Sequence, residues 1–259
     1  MRGFTSYMLP IAVAAFYLFL YIPIFVLILF SFNNNAFTQS WLGFTIKWYS
    51  DLFASTEVWY ALKNSLLVAM SSVILSLTLG SVLIFFGSRA SVKRLLILFY
   101  GSLAMPEIVL AVGLLSLFSF FSVSLGAITL IVGHTLLGLG YVVPILHARF
   151  VELDVSLIEA SYDLGATKRQ TFFSVVLPLL APALIAAGLL VFIISLDDFI
   201  ISFFCAGASV QTLPLYIFAV IRTGASPMIN ALSTLMLVVS SFFVLLFSFL
   251  HIQKTRVPK

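Results

Sequence analysis

Residues 159–178 read EASYDLGATKRQTFFSVVLP and lie within the most charged stretch of the chain. Residues 149–176 carry seven of the 22 charged residues of the whole sequence. Good helix formers precede Gly165, and a second run of them follows it and continues into Leu177-Pro178. Glycine supplies sharp turns at little steric cost. The pattern predicts two short helices joined at Gly165, with a simple connecting loop as the alternative.

The sequence on both sides of this segment is far too apolar for a soluble domain. The 259 residues are 62% hydrophobic and 8% charged, against roughly 45–50% and about 25% in typical globular chains. The surplus apolar surface requires lipid as its solvent. The 27 Phe also exclude a disordered chain, and the single Cys excludes a disulfide scaffold.

Six apolar runs are each long enough to cross a hydrocarbon core of ~30 Å, which takes about 20 helical residues. They are residues 7–31, 61–86, 95–121, 125–147, 178–204 and 228–251. We therefore expect an all-α membrane protein in which residues 1–259 form one transmembrane domain with six helices. The first run exceeds the apolar core of a secretory signal, so we interpret it as an uncleaved anchor.

The basic residues between the spans predict the orientation. With the N-terminus in the cytoplasm, ten lie inside: Arg2, Arg89, Lys93, Arg94, Arg149, Lys168, Arg169, Lys254, Arg256 and Lys259. Only Lys47, Lys63 and Arg222 lie outside. Cytoplasmic loops are enriched in Lys and Arg, so both termini and the 149–177 loop are expected in the cytoplasm.

Two outer loops carry local signals. Trp41, Trp48 and Trp59 all fall in the first outer loop. They indicate either a short helix in the headgroup layer or aromatic residues that merely cap the loop. In the third outer loop, Thr212-Leu213-Pro214 predicts the start of a short helix that ends near Gly224.

The charged segment resembles the EAA motif of ABC-importer permeases. That pattern is Glu-Ala-Ala, three residues, Gly, nine residues, Ile, one residue, Leu-Pro. Here Glu159-Ala160-Ser161, Gly165, Val175 and Leu177-Pro178 keep every spacing, and Ser161 and Val175 are the two departures. In that family the loop forms the coupling helix that docks on a cytoplasmic ATPase subunit. The resemblance therefore implies ATPase coupling for five residues, Glu159, Ala160, Ser161, Gly165 and Ala166.

The resemblance extends over nearly the whole chain. The segments that carry it are Tyr21-Ile-Pro-Ile, Ser31-Phe-Asn, Gly43-Phe-Thr-Ile-Lys-Trp-Tyr49, Met105-Pro-Glu-Ile-Val109, Ser195-Leu-Asp-Asp-Phe199, Leu213-Pro-Leu-Tyr216 and Ser226-Pro-Met-Ile-Asn-Ala231. They resemble the second permease subunit of spermidine/putrescine importers. This implies the type I ABC-importer permease fold, a bacterial inner (plasma) membrane location and polyamine import.

The resemblance also implies the partners. They are a second, different permease subunit, two copies of an ATPase subunit, an external solute-binding protein and membrane lipid, with no nucleic acid. No phosphate-binding loop of the form G-x-x-x-x-G-K-[ST] occurs in the sequence, so ATP hydrolysis is assigned to another polypeptide. We expect a transport subunit with no enzymatic activity, no catalytic residues, no cofactor and no metal.

Three acidic residues lie inside predicted spans, where charge is costly and usually functional. A straight helix would place Glu107 roughly 18 Å into the third span, and Asp197 and Asp198 roughly 30 Å into the fifth. We expect them to line the path of a cationic substrate as two separate stations. The alternative for each is a helix cap or an interhelical hydrogen bond. His134, in mid-span, is expected to be satisfied by a neighbouring helix.

The sequence is compatible with other functions. A permease for another cationic or small organic solute would share the same layout. An ion-driven secondary transporter would need no ATPase-docking loop, so the EAA spacing counts against it. A membrane scaffold without transport would leave the intramembrane acids unexplained. Substrate preference between putrescine, spermidine and other amines is not encoded in any motif of the chain.

The orientation can be tested with single cysteines in a Cys205→Ser background. We expect an impermeant thiol reagent to label Ser50→Cys in intact cells and Ser156→Cys only after the membrane is opened, because ten basic residues flank the inner ends of the spans. Labelling of Ser156→Cys but not Ser50→Cys in intact cells would invert the orientation.

Overall fold

The computed structural model describes residues 2–35, 40–87, 89–224 and 227–255, and its regular elements there are helices. They are α1 (Arg2–Phe30), α2 (Lys47–Ala54), α3 (Thr56–Phe86), α4 (Arg89–Ala104), α5 (Glu107–Phe120), α6 (Ala127–Val151), α7 (Val155–Asp163), α8 (Lys168–Thr171), α9 (Leu177–Asp197), α10 (Ile200–Cys205), α11 (Leu213–Thr223) and α12 (Pro227–Thr255). A π-helical turn at Phe172–Val176 joins α8 to α9.

Part of the predicted charge pattern lies outside this description. Arg256 and Lys259 are not among the described residues, and neither are the side chains of Arg2, Arg89, Lys93 and Lys254. Ser226, from one of the segments that carry the family resemblance, also lies outside the described residues. The orientation of the chain therefore stays a prediction.

The elements fall into two compact units. One unit contains the residues up to Trp59 together with those from Ile217 onward, and there α12 packs against α1 and α2. The other unit is Tyr60–Tyr216 and holds both the charged segment and the three intramembrane acids. The expectation of a single transmembrane domain is not tested by this division.

The first outer loop is tied together by its own polar side chains. The Asn33 carboxamide accepts a hydrogen bond from Leu42 N–H and donates one to the Ser40 carbonyl. The Trp48 indole N–H donates to the Asn33 carbonyl at 2.7 Å. Trp48 lies in α2, so the first outer loop does contain a short helix. The location of this helix in the headgroup layer stays a prediction.

Four described helical segments are long and apolar enough to cross a membrane: Pro10–Phe30, Thr56–Phe86, Ala127–Val151 and Lys168–Asp197. A fifth span is formed if Arg94–Ala104 and Glu107–Phe120 are counted together, although they are bent by 113°. The sixth expected span corresponds to α12, whose stretch Pro227–Phe242 is a shorter apolar helix. The described residues are thus compatible with six spans without confirming that number.

The predicted third span is bent by 113°, and its helix breaks at Met105-Pro106. Proline has no N–H and clashes with the preceding turn, so it suits the start of a helix and not its interior. Pro106 accordingly precedes the first residue of α5. The helix predicted in the third outer loop is confirmed as α11, and Gly224 follows it with φ +134°.

Helix α6 is the centre of the second unit, where it packs against α4, α9 and α10. Its glycines sit where neighbouring helices approach most closely, as small residues do in membrane bundles. A Cβ on Gly133 would lie 2.7 Å from Ile201 Cγ2, and one on Gly138 would lie 2.5 Å from Ser76 Oγ and 2.9 Å from Val191 Cγ1. These contacts fix the distance of α6 from α3, α9 and α10.

Gly138→Ala should therefore destabilise the protein by about 1–3 kcal/mol through overpacking. Its matched control is Gly113→Ala in α5, where an added Cβ meets nothing within 4 Å in this chain. The measurement is the fraction of detergent-solubilised protein that survives heating. Equal thermal losses for the two variants would contradict the close packing of α6.

Candidate functional site

Both ends of helix α7 are capped by residues that directly flank it. The Asp154 carboxylate accepts a hydrogen bond from Ser156 N–H at 3.0 Å and caps the first turn. Hydrogen bonds from Ser156 lower the pKa of this exposed carboxyl below its ordinary value. At the other end, Gly165 N–H donates to the Tyr162 carbonyl and Ala166 N–H donates to the Ser161 carbonyl. This pair of bonds is the Schellman motif, which places a left-handed residue after the helix.

Gly165 is that left-handed residue, with φ +83°. The turn predicted at this position is confirmed. An added Cβ would meet nothing within 4 Å, so the demand for glycine comes from the backbone angle and not from crowding.

The second helix is capped and joined to the first. The Thr167 hydroxyl accepts from Gln170 N–H, and the Gln170 side-chain oxygen accepts from Thr167 N–H. The Ser161 and Thr171 hydroxyls hydrogen bond at 2.9 Å and tie α7 to α8. Ser161 departs from the family pattern, and its hydroxyl makes this contact, which an alanine could not make.

A small apolar cluster anchors the α7–α8 segment (Val155–Thr171) to the helices beneath it. Leu153, Phe172, Val176 and Leu180 form its buried part, and Ile158 of α7 packs against them. A cavity of about 750 Å³ lies between α7 and the adjacent ends of α3, α4 and α6. The segment is thus held on one side and open on the other.

The open side of the segment is partly apolar. Glu159, Ala160 and Gly165 are exposed, and Ser161 and Ala166 are half-buried. The Leu164 side chain is 89% exposed, and Leu157 is also exposed. Exposed apolar side chains grouped among polar ones are typical of protein-docking surfaces.

The intramembrane acids lie where two helical spans break. Helix α9 ends at Asp197, and Asp198 adopts an extended backbone before α10 begins. The Asp198 carboxylate oxygens accept from Ile201 N–H at 3.3 Å and from Ser202 N–H at 2.9 Å. Asp198 is 6% exposed, so its carboxylate is used inside the protein as a helix cap.

His134 of α6 lies next to this cap. Its Nδ1 is 2.7 Å from Ser195 Oγ, and its Nε2 is 3.3 Å from Ser202 Oγ and 3.4 Å from Asp198 Oδ2. The prediction that a neighbouring helix provides the hydrogen-bond partners of His134 is confirmed. The partners lie on α9 and α10. The contacts of His134 with the capping carboxylate and with Ser202 could not be read from the sequence, because they join residues more than 60 positions apart.

Glu107 lies at the first residue of α5 and its carboxyl is in hydrogen-bonding contact with that of Asp198. The expectation of two separate stations is therefore wrong. It assumed straight helices with a constant rise of 1.5 Å per residue, whereas the span holding Glu107 bends by 113° immediately before it. Glu107 and Asp198 belong to one acidic cluster.

Asp197 is the exposed member of the cluster, while Glu107 is half-buried. Among the residues that the structure describes, no Lys or Arg forms an ion pair with Glu107, Asp197 or Asp198; the one basic group beside them is His134. Among the described residues, no group of three or more His, Cys, Asp or Glu is arranged to hold a metal ion.

Comparison with known proteins identifies the family. Residues 72–256 match the family described as "Binding-protein-dependent transport system inner membrane component". The chain is 36% identical over 248 residues to the spermidine/putrescine transport system permease protein PotC of Escherichia coli strain K12, with 93% of each chain covered. It is 34% identical over 229 residues to the putrescine transport system permease protein PotI of the same strain, covering 85% of this chain and 82% of PotI.

A solved structure shares the fold. A bacterial ABC transporter involved in the import of the acidic polysaccharide alginate contains a chain that matches with a TM-score of 0.68 at 15% identity, covering 98% of this chain and 96% of that one. The helical architecture is therefore that of an ABC-importer permease, as the EAA spacing predicted. The chain belongs to the family of binding-protein-dependent inner membrane transport components, and it is a permease subunit.

Proposed function

We propose that this chain is one permease subunit of an ATP-driven importer that moves polyamines across the bacterial inner membrane into the cytoplasm. The observation that carries the proposal is the exposed Asp197 with the half-buried Glu107, two acids that have no Lys or Arg ion-pair partner within the described residues. A polyamine carries two or more positive charges, and opposite charges attract far more strongly at low effective dielectric than in water. The printed names of PotC and PotI support the same cargo class.

Other cargoes fit less well. A neutral solute would leave the Glu107 and Asp197 carboxyls without a counter-charge, which is costly in a membrane. A different organic cation would satisfy the same cluster and is the second candidate within the class. An ion-driven secondary transporter is disfavoured because the family depends on a separate binding protein.

The assembly follows from the family and from the small size of the chain. Six helices are too few to enclose a pathway alone, so we propose a heterodimer with a second permease, two copies of a cytoplasmic ATPase subunit and an external solute-binding protein. Both termini and the α7–α8 segment face the cytoplasm in this arrangement.

The α7–α8 segment is the proposed docking surface for the ATPase. Its shape is held from within by the Asp154 cap, the Gly165 turn and the contact between Ser161 and Thr171. Its outer side presents Glu159 and the 89% exposed Leu164. A rigid projection with an open apolar side can transmit motion from a partner without first becoming ordered.

We expect Gly165→Pro to lower ATP-driven uptake by at least about tenfold while the protein still inserts in the membrane. Proline cannot adopt φ +83° and removes the N–H that donates to Tyr162, so the Schellman turn is lost. Gly165→Asn is the matched control, because asparagine tolerates this conformation and keeps the N–H. The measurements are uptake by the full complex and the ATPase activity that accompanies it.

Glu159→Lys tests the same surface by charge reversal, which is costly where complementary charges meet. Parental uptake by both Gly165→Pro and Glu159→Lys, at parental membrane levels, would show that the segment only connects two spans.

We expect vesicles that contain the full complex to take up labelled putrescine or spermidine, and Glu107→Gln and Asp197→Asn each to lower that uptake about tenfold or more. Hydrogen bonds to charged groups contribute about 1.5–3 kcal/mol. Asp197→Asn removes a charge, and Glu107→Gln removes the carboxyl that pairs with Asp198, both with the side-chain size unchanged. The control is the amount of assembled complex, which should not change.

Parental uptake by both variants would remove the acidic cluster from the cargo path. Loss of assembly in both would give the acids a structural role instead, and either result contradicts the proposed route.

A further inference from the structure

His134 joins three helical pieces at the point where the fifth span breaks. Its two ring nitrogens contact Ser195 of α9 and Ser202 of α10, and Nε2 also lies 3.4 Å from the Asp198 carboxylate between those helices. His134 is 1% exposed and Asp198 is 6% exposed. Neither side chain is accessible to a cargo molecule that passes along the surface of this subunit.

The neighbouring carboxyl has the opposite surroundings. Asp197 is the last residue of α9, is exposed, and has no ion-pair partner in the described part of the chain. Successive helical residues point about 100° apart, so two adjacent aspartates at a helix end are presented in different directions. The break at Asp198 decides which of the two faces the open surface.

We propose that the two adjacent aspartates have different roles: Asp197 binds the cationic cargo, and Asp198, held by His134, is a positioning residue that fixes the α9–α10 break. This inference rests on the proposed function and assigns the roles within it. His134 becomes a further positioning residue that acts through Asp198 and touches no cargo.

The hydrogen-bond chemistry supports this division. An ionised carboxylate only accepts hydrogen bonds, and the Asp198 oxygens already face two backbone N–H groups and the imidazole. A neutral His134 protonated on Nε2 donates to Asp198 or Ser202 and accepts on Nδ1 from the Ser195 hydroxyl, which satisfies both ring nitrogens. The polar and titratable neighbours of Asp198 are Glu107 of α5, His134 of α6, Asp197 and Ser195 of α9, and Ser202 and Cys205 of α10.

The assignment predicts a split between KM and Vmax for uptake of spermidine by the reconstituted full complex. Asp197→Asn should raise KM about tenfold or more, because it removes the charge that meets the cargo. Asp198→Ala should lower Vmax with KM unchanged, since the cap on α10 is lost. Asp198→Asn should restore part of that Vmax, because its carboxamide oxygen can still accept from one of the two backbone N–H groups, whereas its NH2 group cannot accept from the other. His134→Leu should resemble Asp198→Ala.

A rise in KM for Asp198→Asn as large as that for Asp197→Asn would overturn the division, because charge would then matter equally at both positions. Parental kinetics for Asp198→Ala or His134→Leu would also overturn it. Either result leaves the proposed function intact as long as Asp197→Asn and Glu107→Gln still lose uptake. Parental uptake by those two variants would instead contradict the cargo route itself.

Chemical modification gives a second measurement that does not depend on transport kinetics. In a Cys205→Ser background, Asp197→Cys should react with a cationic methanethiosulfonate, and excess spermidine should slow that reaction. Asp198→Cys should react at least about tenfold more slowly, because position 198 is buried. Equal reactivity at the two positions would contradict the assignment.

Discussion

A helix that breaks inside a membrane leaves backbone N–H and C=O groups that lipid cannot satisfy, and the centre of this protein is arranged around that constraint. The free N–H groups of Ile201 and Ser202 are taken by Asp198. His134 holds the same carboxylate from α6. The arrangement of α6, α9 and α10 depends on this contact, because without it the break would expose unsatisfied polar groups and an unaccompanied charge.

The features that follow from local patterns could be predicted from the sequence. Hydropathy located the long apolar helices, and the spacing around Gly165 predicted a short helix, a glycine turn and a second helix that continues into the fifth span. These predictions succeeded because caps, turns and apolar runs are determined by residues within a few positions of one another. The open side of α7 was not predicted, since exposure depends on how the segment packs against Phe172 and its neighbours.

The arrangement of the acids could not be predicted, because it depends on contacts between residues distant in sequence. Constant helical rise separated Glu107 from Asp198 by roughly 12 Å in depth, whereas the two carboxyls are in contact. The bend of 113° before Glu107 accounts for the difference. Proline is compatible with a helix break at this point, but neither the angle of the bend nor the partner of Glu107 is determined by nearby residues. Nearby residues also do not determine that Asp197 is exposed and Asp198 is buried, since the two residues are of the same type and adjacent.

The stretch Lys168–Asp197 has a mechanical consequence. It is a helical stretch of 30 residues that includes the π-helical turn Phe172–Val176, and at about 1.5 Å per residue it is about 45 Å long. One end lies directly after the Gly165 turn, and the other end is the exposed carboxylate of Asp197. A tilt of about 5° pivoting at one end displaces the other end by about 4 Å, which exceeds the length of a hydrogen bond. Small rotations at the solvent end are therefore enough to make or break a cation contact at the far end.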